Sequence, residues 1–258
     1  MNGDFLSLLP ESQFAQLNAT GSPPLKPLPI PQLEATTVFA FHCAEGVVIA
    51  GDHRATAGNT IFSDKTEKIL ELDSHSLMAI AGSPAVAFEM ARTLQTTFEF
   101  YRRSQLQSMS LQAKIRSLSK LLRDNLPATL QGVGIVAPIF VGFEISDPES
   151  KPAIYYYDPM GAQFEATSYA SSGSGSHSIR SVLHFLEKWG KPKPQKMNIE
   201  QATTLANRLL MTASEFDTAT GGVHPDRKLF ATIKLLTRQG IKTIMAEEHE
   251  LFWGKGGL

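Results

Sequence analysis

From residue 36 onward the sequence alternates paired β-type segments with paired helical ones, and that order leaves few ways to close a core. Thr37–Phe41 and Val47–Ala50 read as a hairpin turning at Ala44-Glu45-Gly46, and Lys68–Leu72 with Leu77–Ala81 as a second turning at Asp73–Ser76. After Gly82-Ser83-Pro84 the apolar period becomes helical. Val86, Met90, Leu94 and Phe98 recur every four residues, and Pro84 suits a first helical turn. A second helix is predicted from a Ser110 cap, with Ile115, Leu118, Leu121 and Leu122 on one face. Strands follow at Ile135–Glu144, Ala153–Tyr157 and Gln163–Tyr169. Two more helices, Ser176–Trp189 and Ile199–Phe216, flank a Lys191-Pro-Lys-Pro-Gln link, and a hairpin of Leu229–Leu236 with Ile241–Ala246 closes the chain. The order predicts an α+β fold with two sheets face to face and a helix pair covering each outer side.

Residues 1–35 have a different character. They hold six of the 15 prolines, which remove backbone donors and extend the preceding residues, so Ser22–Pro31 is expected to be extended and loosely attached. On composition alone this segment is a terminal tail. No basic stretch followed by an apolar one marks a secretory signal, and no apolar run is long enough to span a bilayer. Lys+Arg 24 against Asp+Glu 25 leaves a net charge of -1, which argues against nucleic-acid or anionic-membrane partners. Cys43 is the only cysteine, so neither an internal disulfide nor a cysteine metal site is available, and a buried packing thiol is expected. None of the seven histidines has the spacing of a metal-ligand pair, and solvent-facing roles are expected for them. His53 beside Asp52 lacks the Gly-x-Ser-x-Gly elbow of a serine hydrolase. The arginines of the Phe98–Arg103 run are read as solvated or facing a neighbouring subunit. The expectation is a soluble cytoplasmic protein.

Several short segments carry polar residues suited to chemistry: Glu34-Ala35-Thr36-Thr37-Val38, Gly51-Asp52-His53-Arg54-Ala55-Thr56, Lys68, and Ala81-Gly82-Ser83. Later come Ser172-Gly173-Ser174-Gly175-Ser176 and Asp217-Thr-Ala-Thr-Gly-Gly222. Singly, each has an ordinary explanation: a strand opening, a structural ion pair, a turn before a helix, a helix end. Asp52, Lys68 and Gly82 follow Thr36 by 16, 32 and 46 positions, and it is this ordered register that distinguishes the set.

In that register the chain resembles the β-type subunits of the bacterial proteasome core particle, over nearly all of Thr36 to about Glu248. The resemblance implies an N-terminal-nucleophile hydrolase, a four-layer αββα sandwich with two antiparallel sheets between helix pairs. It also implies a threonine endopeptidase that removes its own leader, residues 1–35, at the Ala35–Thr36 bond, leaving a catalytic domain of residues 36–258. The roles it implies are Thr36 as nucleophile, Asp52 and Lys68 as the essential charged pair, and Gly82 as the oxyanion donor. Ser174, Asp217 and Thr220 receive supporting roles. The family has Gly before the nucleophile, and Ala35, nearly as small, replaces it here. Ala55, Thr56, Thr66, Ile80 and Pro84, with Phe88, correspond to the specificity pocket and imply a preference for apolar P1 residues. The chemistry fits: a threonine hydroxyl needs a base, and a freed α-amine with a pKa near ~7.7–8.0 can serve.

The same resemblance implies β rings of seven subunits, α-type partner rings, an ATP-dependent unfoldase acting through the α ring, protein substrates, and no metal or organic cofactor. A simpler bacterial threonine protease built from one subunit type shares the leading Thr-Thr but carries a very short leader. A non-catalytic ring subunit would lose Thr36, Lys68 or the processing junction, and all are present. Residues 249–258 fall beyond the recognised pattern.

Overall fold

The first two strands are apolar on both faces, so they need cover on both sides. In a computed structural model, which describes residues 36–57 and 60–254, β1 (Thr37–His42) and β2 (Val47–Gly51) are buried almost throughout. β3 (Ala55–Ala57) and β4 (Thr60–Ser63) form a small separate hairpin, and β5 (Ile69–Asp73) and β6 (Ser76–Ala79) the next. Helices α1 (Pro84–Gln105), α2 (Leu111–Asp124) and the short α3 (Leu126–Leu130) follow. Then come β7 (Ile139–Gly142), β8 (Ala153–Tyr157), β9 (Gln163–Ala166) and β10 (Tyr169–Gly173). The chain continues through α4 (Ser176–Trp189), α5 (Ile199–Phe216), β11 (Thr232–Thr237), β12 (Gly240–Thr243) and α6 (Ala246–Gly254).

One antiparallel sheet runs β10-β1-β2-β11-β12 and the other β5-β6-β7-β8-β9. Three apolar layers account for the four-layer sandwich. Val38, Ala40 and Ile49 of the first sheet meet Ile69, Leu77 and Ile139 of the second. The opposite face of the first sheet, Phe39, Phe41 and Val48, packs on Ile179 and Leu183 of α4 and Leu205 and Leu209 of α5. Met78 and Phe140 of the second sheet pack on Met90, Leu94, Ile115 and Leu118 of α1 and α2. The period-2 alternation of β1 thus sends its small residues between the sheets and its aromatics to the helices.

Local signals work where they are strong. Pro84 opens α1. Ser110 caps α2 through Ala113 N–H at 3.3 Å, and Asn198 with Gln201 forms a capping box at α5. Elsewhere the boundaries move. β7 is shorter than the expected 135–144 because Pro138 cannot donate to a ladder, while Val136 forms only an isolated bridge to Gly82. The β3–β4 hairpin and α6 were not expected. α6 occupies the end of the predicted closing strand, and its Glu247 and Glu248 suit a helix N-terminus. Cys43 is buried, one residue beyond β1 rather than within it. Arg102 and Arg103 are exposed and both pair with Glu99.

The expectation of solvent-facing histidines fails at His249 on α6, which is 3% exposed. Its Nδ1 accepts Asn207 Nδ2–H at 3.0 Å, and its ring stacks on Phe230 at 5.0 Å between centroids. Burial lowers its pKa to about 4 from 6.5, against an opposing pull from Glu248 and with a smaller push from His53. An unfolded chain therefore takes up a proton that the folded chain refuses. Stability contributed here is complete above about pH 6.5 and is lost as pH falls toward about 4. Denaturation midpoints should drop across that window, and His249→Gln should flatten part of the drop; an unchanged pH slope would contradict the assignment.

Candidate active site

Asp52 leaves the end of β2 with its carboxylate turned inward, 2% exposed. A buried carboxylate has to be saturated with donors. Oδ1 accepts Lys68 Nζ at 2.6 Å and the Thr37 amide at 3.0 Å, and Oδ2 accepts the amides of Gly221 at 2.8 Å and Arg54 at 3.0 Å. Lys68, just ahead of β5, is 1% exposed. Its ammonium also donates to the Arg54 carbonyl. Burial pulls the Lys68 pKa below the ordinary lysine range; Asp52 and, more weakly, Asp217 oppose that pull, and Arg54 adds to it.

Thr36 is buried and precedes β1; its carbonyl accepts the Ser174 amide at 3.1 Å. The approach requires glycine. A Cβ on Gly173, at φ +96°, would fall 1.6 Å from Thr36 O. Beyond that turn, Asp217 ends α5. Its Oδ2 accepts both Ser174 Oγ and Thr220 Oγ1 at 2.6 Å, while Oδ1 accepts the Ala219 amide at 3.1 Å. Thr220's one hydroxyl proton is thereby committed, so the 2.6 Å contact between the Thr37 and Thr220 hydroxyls is donated by Thr37. Thr37 Oγ1 in turn accepts the Gly175 amide at 3.0 Å.

Thr37 thus joins the Asp52–Lys68 group to the Asp217 group, and it was not among the expected site residues. Arg54 was also missed: besides bonding Asp52 and Lys68 through its backbone, it donates to Asp64 Oδ1 at 2.9 Å and to the Thr218 carbonyl at 3.2 Å. The second Thr of the Thr-Thr pair was the available signal for Thr37; nothing in spacing marks Arg54. Thr220, expected in a supporting role, holds Thr37 and Asp217.

Gly82 has φ +101°, and a Cβ there would meet Ile135 O at 2.1 Å. Its bridge to Val136 is made by the neighbouring amides of Ser83 and Ala137, so Gly82's own N–H takes no part in it. Gly82 and Gly173 face one hollow of about 210 Å³, with Ala81, Ile135, Ala137 and Ser172. None of the expected pocket residues lines that hollow. Ala55 and Thr56 are buried in β3, Thr66 is half-buried with its amide on His53 O at 3.0 Å, and Pro84 begins α1. Ile80 packs in the core beneath α1 and α2, as does the half-buried Phe88. Ala35 and the rest of residues 1–35, the expected leader with its extended Ser22–Pro31 stretch, lie outside the described residues. Among the described residues no cluster of His, Cys, Asp and Glu could hold a metal, and no helix is long and apolar enough to cross a membrane.

A buried lysine–aspartate pair beside an opening threonine, in an αββα sandwich, defines the class of N-terminal-nucleophile hydrolases. The proteasome subunit family profile matches residues 33–224. The chain is 34% identical to a proteasome subunit beta of Stackebrandtia nassauensis, covering 93% of this chain and 87% of that protein. It is likewise 34% identical to one of Acidothermus cellulolyticus (89% and 75%) and 33% identical to one of Streptomyces griseus (83% and 73%). The chain belongs to the proteasome subunit family, as a β-type subunit and a threonine protease.

The Thr37 hydroxyl is buried between two partners, so deleting it strands the Gly175 amide. Thr37→Val should lower unfolding stability by about 1–3 kcal/mol, and Thr37→Ser by much less. Chemical denaturation checks this; equal losses for the two variants would contradict the bonding scheme.

Proposed function

We propose that residues 1–35 are a propeptide removed by Thr36 itself, and that the freed Thr36 then cuts unfolded protein chains. The observation that carries the reading is the shared Asp52 oxygen: it holds both Lys68 Nζ and the Thr37 amide, fixing the residue beside Thr36 against a buried ammonium.

While the Thr36 nitrogen is still an amide it cannot act as a base, and Lys68 is the basic group at hand. Its lowered pKa lets it accept a proton nearer neutrality than a free lysine does. In its neutral form Lys68 takes the Thr36 hydroxyl proton as Oγ bonds to the Ala35 carbonyl carbon. The Ala35–Thr36 C–N bond then breaks as Lys68 passes that proton to the nitrogen, leaving an ester on Oγ. Water hydrolyses the ester to an Ala35 carboxylate, a free hydroxyl and a free α-amine. Thereafter the amine is the base, its pKa lowered by the nearby Lys68 charge. Ser174 and Asp217 orient the amine, and Thr220 acts through Asp217 and Thr37. The Gly82 N–H meets the developing oxyanion; losing such a donor costs about 2.7–4 kcal/mol of transition-state stabilisation in other hydrolases.

The subunit works in rings of seven, stacked and capped by α-type rings, with an ATP-dependent unfoldase delivering substrate in the cytoplasm. The uncharged set Ala55, Thr56, Thr66, Ile80 and Pro84 supports an apolar P1 preference. Such a pocket discriminates by about 1–3 kcal/mol per methylene-sized difference.

Thr36→Ala should abolish peptidase activity in an otherwise assembled particle, and undiminished activity would overturn the reading. A fluorogenic peptide panel should show fastest cleavage after apolar residues; faster cleavage after Arg or Glu would refute the pocket assignment.

A further inference from the structure

Two arms of the fold carry the two carboxylates of the site, and both are tied to one side chain. Asp52 follows Gly51, which pairs with Thr232 at the start of β11. Asp217 ends α5. Asn207, buried midway along α5, accepts the Ala231 amide on Oδ1 at 3.2 Å, one residue before Thr232. Its carboxamide therefore joins the Asp217 arm to the Asp52 arm. Thr232 Oγ1 in turn lies 3.3 Å from His53 Nε2, next to Asp52.

The orientation of that carboxamide is set from α6. Because Oδ1 faces an N–H at Ala231, Nδ2 faces away, donating to Thr203 O at 3.2 Å and to His249 Nδ1 at 3.0 Å. His249 Nδ1 must be unprotonated to accept, so the ring is neutral with its proton on Nε2. The same ring stacks on Phe230, with 16° between planes. Phe230 and Ala231 wall a small hollow together with Asp52, Arg54 and Gly221. Phe252 in the core, the Lys228–Glu250 and Lys242–Glu248 pairs, and Arg208 over Trp253 fix α6 in place. Without an acceptor at His249, only the Thr203 carbonyl of α5 itself is left to hold Nδ2, and the Ala231 amide has a less firmly fixed partner.

We infer that His249, on a helix beyond the matched family span, is a positioning residue that holds the Asp52 and Asp217 arms in register through Asn207. This rests on the proposed roles of those carboxylates. His249→Phe keeps the stack but removes the acceptor, whereas His249→Gln supplies one. Both are made in the full chain and assembled. Turnover is counted per active site titrated with a covalent, threonine-directed peptide probe, and hydrogen exchange is followed by peptide. For His249→Phe, kcat per titrated site should fall about tenfold with KM within about twofold, since small misplacements of catalytic groups cost rate more than binding. Exchange should quicken in residues 51–54 and 217–222 as well as in α6, and His249→Gln should restore most of both. If His249→Phe fails to fold, Asn207→Ser, which drops the same bridge from α5, carries the comparison. Faster exchange confined to residues 246–254, or an unchanged kcat per titrated site, would overturn the inference. The exchange result does not depend on Thr36 being the nucleophile, so the two readings fail separately.

Discussion

A carboxylate with four donors in a buried site organises the rest of this molecule. Asp52 accepts from β1, from the loop after β2, from Lys68 before β5 and from Gly221 after α5. It therefore binds both sheets and the helix-ending loop to one point between the layers. The charge is affordable only because all four partners are in place. Removing one partner of such a buried pair costs about 3–5 kcal/mol, because the other is left as an uncompensated charge. The same burial that makes the pair demanding also lowers the Lys68 pKa.

Glycine supplies the complementary constraint. Gly173 and Gly82 both have positive φ and sit where a Cβ would collide with backbone, of Thr36 and Ile135 respectively. Gly173 lets the β10–α4 turn close on the Thr36 carbonyl, and Gly82 turns the chain at the far side of the shared hollow. Neither residue contributes a side chain, yet both set how closely the backbone segments approach one another at that hollow.

Much of this was legible in the sequence because it depends on period and order. The apolar runs of β1 and β2, the four-residue rhythm of α1 and the Ser110 cap are local signals that agree with the tertiary layers. The register of Thr36, Asp52, Lys68 and Gly82 pointed to chemistry, and the structure brings Asp52, Lys68 and the Thr36–Thr37 backbone into one hydrogen-bonded group. What was hidden depends on partners remote in sequence. Thr37 matters through Thr220, 183 positions away, and His249 is buried through Asn207 and Phe230. The β3–β4 hairpin is marked by Gly58-Asn59 between two short β-type runs, a turn signal too brief to weigh against the surrounding polar residues. Ile80, one residue past β6, packs with the helix-side cluster through Met78, Met90 and Leu94, company that its position in sequence does not announce.

The central claim is that Thr36 becomes a nucleophile by cutting the bond that precedes it. Intact-mass measurement of the subunit from an active assembled particle tests this most directly. The account predicts a chain beginning at Thr36, and in a Thr36→Ala particle a chain still beginning at Met1. An active particle whose subunit retains Met1 would contradict it.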